Sequence, residues 1–134
     1  EFENTYRFVN AMPFSYFHVF SYSRRQGTAA VRMKHAAPAA MTGRRSRTLA
    51  ELSRNKNMAY CERHIGRRVK VLFEKGQQDG LRSGLTDTFM KVVVASDENL
   101  TGTLREVTII GITDGLAYGR LAPSLAPGRQ VAVL

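Results

Sequence analysis

The chain has 134 residues and a mass of 15.0 kDa, the size of one ordinary domain or two small ones. Its 43% hydrophobic and 23% charged residues exclude a wholly disordered chain. No apolar run approaches the ~18 residues of a membrane-spanning helix, and the single cysteine, Cys61, excludes an internal disulfide and a multi-cysteine metal cluster held by this chain alone. Because the chain begins at Glu1 without a leader pattern, we expect it to be a piece of a longer protein.

The positive charge is concentrated in the first half of the chain. The net charge is +9; residues 1–65 hold 11 basic and 4 acidic residues, whereas residues 66–134 hold 9 and 7. Between Arg24 and Lys56 nine basic residues, Lys34 among them, accompany one acidic residue, Glu51. Such a density attracts a polyanion, most commonly a nucleic acid; the alternative is a solvated surface that only aids solubility.

The first 37 residues predict a helix, a buried strand and a basic loop. Phe2, Tyr6, Phe8 and Val9 form a short amphipathic pattern, and the run 14–20 is aromatic and β-branched. One helix–strand unit of an α/β layer cannot cover its own faces. We therefore expect residues 1–37 to belong to a larger α/β barrel or sheet.

Residues 38–65 predict a connecting helix. Pro38 suits a first-turn position, and Thr48 with Glu51 has the spacing of a capping box, so the better-formed part is expected to begin there. Gly43 costs about 1 kcal/mol inside a helix, and Gly66 is a plausible left-handed stop.

Residues 66–134 predict a small barrel. Val69, Val71 and Phe73 alternate with polar residues, as in a strand with one buried face. Further strand regions are predicted at 85–95, 107–112, 116–121 and 131–134, separated by turn signals. Five short strands rich in glycine favour a closed five-stranded barrel of the OB type, and the whole chain is predicted to be α+β.

The predicted barrel carries basic residues interleaved with the aromatic residues Phe73, Phe89 and Tyr118. OB-type barrels bind single-stranded or looped nucleic acid through such faces, whereas strand alternation alone places Phe73 in the core. The basic residues are the better candidates for RNA binding. They are Arg67, Arg68, Lys70, Lys75, Arg82, Lys91 and Arg105.

No catalytic residue or metal site is predicted within the chain. Cys61 is either a small core residue or a nucleophile activated by His64, three residues further along the helix. His18, His35 and His64 lack metal-ligand spacing, and His18 is either a core or a cleft residue. The phosphate-loop, dinucleotide, zinc-protease and serine-hydrolase motifs are all absent.

Three segments, in order, resemble the radical-SAM methylthiotransferases, and their MtaB branch in particular. Residues 17–30 (FHVFSYSRRQGTAA) resemble the segment that ends the last strand of the radical-SAM core. Residues 45–53 (RSRTLAELS) are similar to the helix pattern RS-x-x-L-x-x-L-S. Residues 66–74 and 84–92 resemble the opening of a TRAM domain, with its pattern G-x-T-x-x-Y/F-x-x-V.

The resemblance implies a C-terminal part of a MiaB/MtaB-type enzyme, with the end of the radical-SAM core in residues 1–37, a connecting helix in 38–65 and a TRAM barrel in 66–134. The cluster motif Cys-x3-Cys-x2-Cys is absent here and lies upstream in the family. The intact enzyme would add a 2-methylthio group to N6-threonylcarbamoyladenosine next to the anticodon, using S-adenosylmethionine and two 4Fe-4S clusters, none of them bound by this part.

The same resemblance implies that this part docks the tRNA anticodon stem-loop, is inert alone, works in the cytoplasm with the upstream radical-SAM region of the same polypeptide, and has no membrane partner. Residues implied to lie near the active-site cleft are His18, Tyr22, Arg24 and Arg25. Two other hypotheses remain: a free-standing OB-type RNA-binding protein, and a methylthiotransferase that acts on a ribosomal protein.

Overall fold

The computed structural model describes residues 1–33 and 37–123. Lys34, His35 and the predicted closing strand at 131–134 lie outside the described residues. The chain divides into two compact units, Glu1–Asn57 and Met58–Leu134. No described helix combines a length of 18 or more residues with the apolar composition that crossing a bilayer requires.

The described residues form two α-helices, one 3₁₀ turn and five strands. The helical elements are α1 (Phe2–Ala11), the 3₁₀ turn (Ala29–Arg32) and α2 (Ala39–Glu62). The strands are β1 (Arg68–Gln78), β2 (Leu81–Leu85), β3 (Lys91–Ala95), β4 (Leu104–Thr113) and β5 (Leu116–Leu121). This content confirms the predicted α+β class.

The predicted helix at the start of the chain is confirmed as α1, but the predicted buried strand at 14–20 is wrong. The segment is extended without being part of a sheet, and its side chains alternate between half-buried and exposed, with Phe20 87% exposed. A strand needs a neighbouring strand for its backbone hydrogen bonds, and no strand of the described chain pairs with this segment.

Helix α2 begins earlier than the capping signal predicts. Thr48 lies inside the helix, where its hydroxyl donates to the Arg44 carbonyl at 3.1 Å instead of capping a first turn. Gly43 is helical despite its low propensity. The predicted stop at Gly66 is wrong in position, because α2 already ends at Glu62. Gly66 has a left-handed φ of 81°, but its amide donates to the Ile109 carbonyl at 2.8 Å and not to a carbonyl of the helix.

Strands β1–β5 close into a barrel in the order β1-β2-β3-β5-β4, which confirms the predicted OB-like architecture. β3 and β5 are parallel neighbours, and the other pairs are antiparallel. The single predicted region 85–95 is in fact the end of β2 and all of β3, and most of β2 escaped prediction. Arg82, Ser83 and Gly84 have low strand propensity, so only the pairing with β1 and β3 makes this segment a strand.

Two glycines allow the barrel to close around a core of branched side chains. Val71, Val92, Val107 and Ile109 are fully or almost fully buried inside it. A Cβ at Gly84 would overlap the Leu72 carbonyl oxygen of β1, and a Cβ at Gly119 would overlap the Val107 side chain. The absence of a side chain at these two positions therefore permits the close approach of neighbouring groups.

We expect Gly84→Ala to destabilise the barrel by about 1–3 kcal/mol, because the added methyl must displace backbone rather than a flexible side chain. Gly111→Ala is the matched control: its Cβ would have no atom within 4 Å, so its effect should stay within about 0.5 kcal/mol. Urea unfolding followed by far-ultraviolet circular dichroism measures both. Equal stability of the two variants would show that the close approach at Gly84 does not limit closure.

Candidate nucleic-acid interface

The outer face of β1, β4 and β5 brings together cations from separate strands. Thr108 of β4 lies in register with Arg68 of β1 on one side and Arg120 of β5 on the other. Register partners project to the same face, so the two guanidinium groups flank Thr108, with their Cα atoms roughly 10 Å apart. Lys70 lies in the next outward row, opposite Glu106. We call Arg68, Lys70, Thr108 and Arg120 the cationic face.

The cationic face is available to a ligand. The side chains of Arg68, Lys70 and Arg120 are exposed, and among the described residues they form no ion pair or hydrogen bond. The inward neighbours Val69 and Val107 fill the barrel, which forces the alternate residues outward. A cation without an internal partner can neutralise a phosphate without first breaking an ion pair.

Arg120 is a member of this face that sequence reasoning missed. It is exposed near the end of β5, two residues after Tyr118 and flanked by the inward-facing Gly119 and half-buried Leu121. The strand period across 116–121 was the available signal. Its position beside Thr108 depends on the β4–β5 register, which the sequence does not reveal.

Two predicted RNA-binding residues have structural partners. Arg105 pairs with the Glu98 carboxylate at 3.1 Å, and its side chain is only 18% exposed. Arg82 donates to the Glu98 carbonyl oxygen at 2.9 Å and to that of Leu81 at 3.2 Å. Both arginines therefore hold the connection between β3 and β4, and neither is part of the cationic face.

The remaining predicted cations are exposed but dispersed over the barrel. Arg67 directly precedes β1, Lys75 lies within the irregular stretch of β1 between Phe73 and Gln77, and Lys91 starts β3 opposite Leu85. Of the three aromatic candidates, Phe73 is a core residue, Tyr118 is half-buried and Phe89 is 68% exposed. Arg67 is the one dispersed cation that directly adjoins the cationic face along the chain.

Within the first unit, the extended segment 14–20 presents a row of rings. Tyr16, His18 and Phe20 occupy alternate positions, with ring centroids 5.4 Å and 6.2 Å apart. His18 is exposed, so within the described chain it is not a core residue. Tyr22, Arg24 and Arg25 continue beyond the row and are exposed as well.

A serine of α2 holds the centre of this segment. The Phe17 amide donates to the Ser53 hydroxyl oxygen at 2.9 Å, and the Ser53 hydroxyl donates to the Phe17 carbonyl at 2.6 Å. Ser53 is buried, as is its neighbour Leu52. One side chain thus satisfies both backbone groups of Phe17, as a neighbouring strand would.

Two cations of the basic region are structural in this unit. The Lys56 ammonium donates to the carbonyl oxygens of Asn10 and Met12 at 2.9 and 2.8 Å, where it satisfies and neutralises the C-terminal end of α1. The Arg45 guanidinium lies 5.2 Å from the centre of the Phe2 ring. Both cations therefore act within the first unit.

Cys61 is a core residue, which confirms the first of its two interpretations. It is 1% exposed and packs in the barrel core. Burial, and secondarily the charge of Glu62, raises the pKa of the thiol, the opposite of what a nucleophile needs. The His64 ring nitrogen Nδ1 lies 2.9 Å from the Tyr60 carbonyl oxygen.

Comparison with known proteins gives relatives over most of the chain. MtaB of Bacillus subtilis, named threonylcarbamoyladenosine tRNA methylthiotransferase, is 31% identical over 82% of this chain and 25% of its own length. Proteins of Moorella thermoacetica and Protochlamydia amoebophila, both named tRNA-2-methylthio-N(6)-dimethylallyladenosine synthase, are 33% and 31% identical over 90% of the chain and 28% and 27% of their own lengths. The chain is a homologue of the MtaB and MiaB tRNA methylthiotransferases.

Its sequence and fold are consistent with a C-terminal fragment of this methylthiotransferase family. The chain spans about a quarter of the length of the curated relatives it matches. No family model matches it. The resemblance inferred from the three motifs is therefore confirmed by the relatives. Two residues of the pattern RS-x-x-L-x-x-L-S have structural contacts, because Arg45 lies over the Phe2 ring of α1 and Ser53 binds the backbone of Phe17.

This methylthiotransferase homologue does not contain the ligands for an iron–sulfur cluster. A 4Fe-4S cluster is held by cysteine thiolates, and Cys61, the one cysteine, is enclosed in the barrel core. Among the described residues no three His, Cys, Asp or Glu side chains are placed to share a metal ion. The residues present therefore do not fit a cluster.

We expect Ser53→Ala to free the extended segment. Both polar groups of Phe17 lose their partner, so amide exchange there should accelerate about 10-fold or more, equivalent to ~1.4 kcal/mol. Thr48→Ala is the control on the same helix, since its hydroxyl bonds only within α2. Hydrogen–deuterium exchange of peptides that contain Phe17 measures the difference, and equal exchange in both variants contradicts the role of Ser53.

The raised thiol pKa of Cys61 makes folding sensitive to alkaline pH. The folded state keeps its proton while the unfolded thiol ionises, so the free energy of unfolding should fall as the pH rises above about 9.0. In urea titrations at several pH values, the free energy of unfolding of Cys61→Ala should fall less at alkaline pH than that of the wild type. Rapid alkylation of the native thiol by iodoacetamide near neutral pH would contradict its burial.

Proposed function

We propose that this chain is the tRNA-docking C-terminal part of a tRNA methylthiotransferase that forms the 2-methylthio derivative of N6-threonylcarbamoyladenosine next to the anticodon. Its TRAM barrel binds the anticodon stem-loop through the cationic face. The radical-SAM region, with S-adenosylmethionine and two 4Fe-4S clusters, belongs to the rest of the polypeptide, and the whole protein works in the cytoplasm. By itself the chain is inert.

The observation that carries the proposal is the cationic face. Three exposed cations, Arg68, Lys70 and Arg120, come from two strands of one sheet and form no ion pair among the described residues, although Glu106 lies opposite Lys70. Phosphate contacts of this kind orient a protein on RNA without reading its sequence. A docking module needs contacts that orient the RNA, because the chemical reaction takes place in another part of the enzyme.

The extended segment supports the proposed place of this part in a larger enzyme. It presents an uncovered row of rings, Tyr16, His18 and Phe20, although aromatic side chains usually bury most of their surface. A strand of the upstream radical-SAM barrel would pair with the segment's backbone and cover these rings. His18, Tyr22, Arg24 and Arg25 would then lie at the end of that strand, where ligands of α/β barrels bind.

The relatives bear on the competing hypotheses. Each of the three described above has a tRNA modification in its name, which favours tRNA over a ribosomal protein as the substrate. They are about four times as long as the matched region, which favours a part of an enzyme over a free-standing RNA-binding protein. Relatives of both nucleoside specificities match, and the motif at 17–30 favours the threonylcarbamoyl branch.

We expect the double variant Arg68→Ala with Arg120→Ala to weaken binding of an anticodon stem-loop RNA about 10-fold without unfolding the barrel. Each lost phosphate contact should also reduce the slope of log affinity against log salt concentration by about one. Fluorescence anisotropy across a salt series, with the complete 134-residue chain, measures both quantities.

The control for this pair is Arg7→Ala with Lys75→Ala, which removes the same charge outside the cationic face. Arg7 is paired with Glu3 at 3.1 Å, and Lys75 lies within the irregular stretch of β1 between Phe73 and Gln77. Equal weakening of RNA binding by both double variants would show that the net charge of the chain, and not the cationic face, determines the affinity. Salt-independent binding, or no binding at low salt, would refute RNA docking itself.

A further inference from the structure

Phe89 combines an exposed ring with a strained backbone. Its side chain is 68% exposed, although phenylalanine has no polar group to favour water. Its φ of 60° lies in the left-handed region, which residues with a Cβ rarely occupy. The next residue, Met90, is 3% exposed, so the turn buries the methionine and turns the phenylalanine outward.

Hydrogen bonds within the β2–β3 connection hold this conformation. The Thr86 amide donates to the Met90 carbonyl at 3.0 Å, and the Phe89 amide donates to the Thr86 carbonyl at 3.0 Å. The Met90 amide donates to the Thr86 hydroxyl oxygen at 3.1 Å. Because three bonds fix the turn on both sides of Phe89, its ring is presented from a rigid position.

A second set of contacts connects the turn to the end of α2. The Thr86 and Thr88 hydroxyl groups lie 3.0 Å apart, and the Tyr60 hydroxyl donates to Thr88 at 2.7 Å. The Arg63 guanidinium lies 5.7 Å from the centre of the Tyr60 ring, and the His64 ring lies 4.7 Å from it. The rigid ring is therefore joined to a cluster that carries a cation.

We propose that Phe89 is a stacking platform for one unpaired nucleobase of the bound RNA. The inference rests on the proposed RNA-docking function and adds a subsite to it. A phenyl ring without polar atoms can stack on any base, because every base has a flat aromatic face. The stack removes water from the face of the ring and from the face of the base that meet. Residues with a strained backbone are concentrated at functional sites. The Phe89 ring is not part of the barrel core, so core packing does not account for its conformation.

The location of the ring favours a nucleobase over an apolar protein partner. The residues around it are polar or charged: Asp87, Thr88 and Lys91 are exposed, and Arg63 is exposed beside Tyr60. A protein interface is centred on a larger apolar patch with charged residues at its rim. A single exposed ring with hydroxyl groups and the cations Lys91 and Arg63 among its neighbours is the pattern of single-stranded nucleic-acid sites, although Asp87 is an acidic neighbour.

The test uses the complete chain and an anticodon stem-loop RNA. Its loop nucleotides are unpaired, and unpaired loop nucleotides are the usual target of modules that bind single-stranded RNA. Phe89→Leu, which keeps an apolar side chain and loses the ring, should bind about 10-fold more weakly with an unchanged salt slope. Phe89→Trp retains an aromatic ring and should bind the RNA with an affinity close to that of the wild type. Phe89→Gly removes the ring and relieves the left-handed strain, so it should bind weakly and have a melting temperature no lower than the wild type.

Abasic substitution of each loop nucleotide in turn then locates the base. At one position, removal of the base should weaken binding by the wild type but leave binding by Phe89→Leu unchanged. The reason is that the ring and the base form one interaction, which Phe89→Leu has already lost. Losses that add at every position, or wild-type affinity of Phe89→Leu, would overturn the stacking proposal and leave RNA docking intact. Absence of wild-type binding at low salt would overturn both.

Discussion

Closure of the five-stranded barrel is the constraint on which the rest of this protein depends. The parallel pairing of β3 with β5 joins the two edges, so every strand has a neighbour on both sides. The interior is then small and must be filled by branched apolar side chains, while Gly84 and Gly119 provide room where strands approach closely. Because the inside accepts no charge, alternate residues are forced outward, and the cationic face follows from the fold.

The first unit shows how an extended segment without a neighbouring strand can be held in place. Residues 14–20 have the composition of a buried strand without a neighbouring strand in the described chain. Ser53 supplies one donor and one acceptor to Phe17, and Lys56 satisfies the carbonyl end of α1. These polar contacts satisfy backbone groups, but they leave the rings beside Phe17 uncovered, and that surface is where we place the upstream region.

Positive charge in this chain has two physical uses. Arg82, Arg105, Arg45 and Lys56 act within the protein, on carbonyl oxygens, a carboxylate or a ring. The cations of the cationic face lack such partners among the described residues and are placed by strand register. Net charge therefore predicts a polyanionic ligand without indicating which residues meet it. The buried Cys61 illustrates a similar limit, since only its surroundings show that the pKa of its thiol is raised by burial.

The sequence by itself determined the α+β class, the barrel and the family, because alternation, turn residues and local motifs each lie within a short stretch of chain. It did not reveal strand β2, whose polar residues become a strand only between β1 and β3. Nor did it show that Arg105 is tied to Glu98 while Arg120 stands beside Arg68 across β4. Those distinctions depend on register and closure, which bring together residues distant in sequence, and only the tertiary structure decides them.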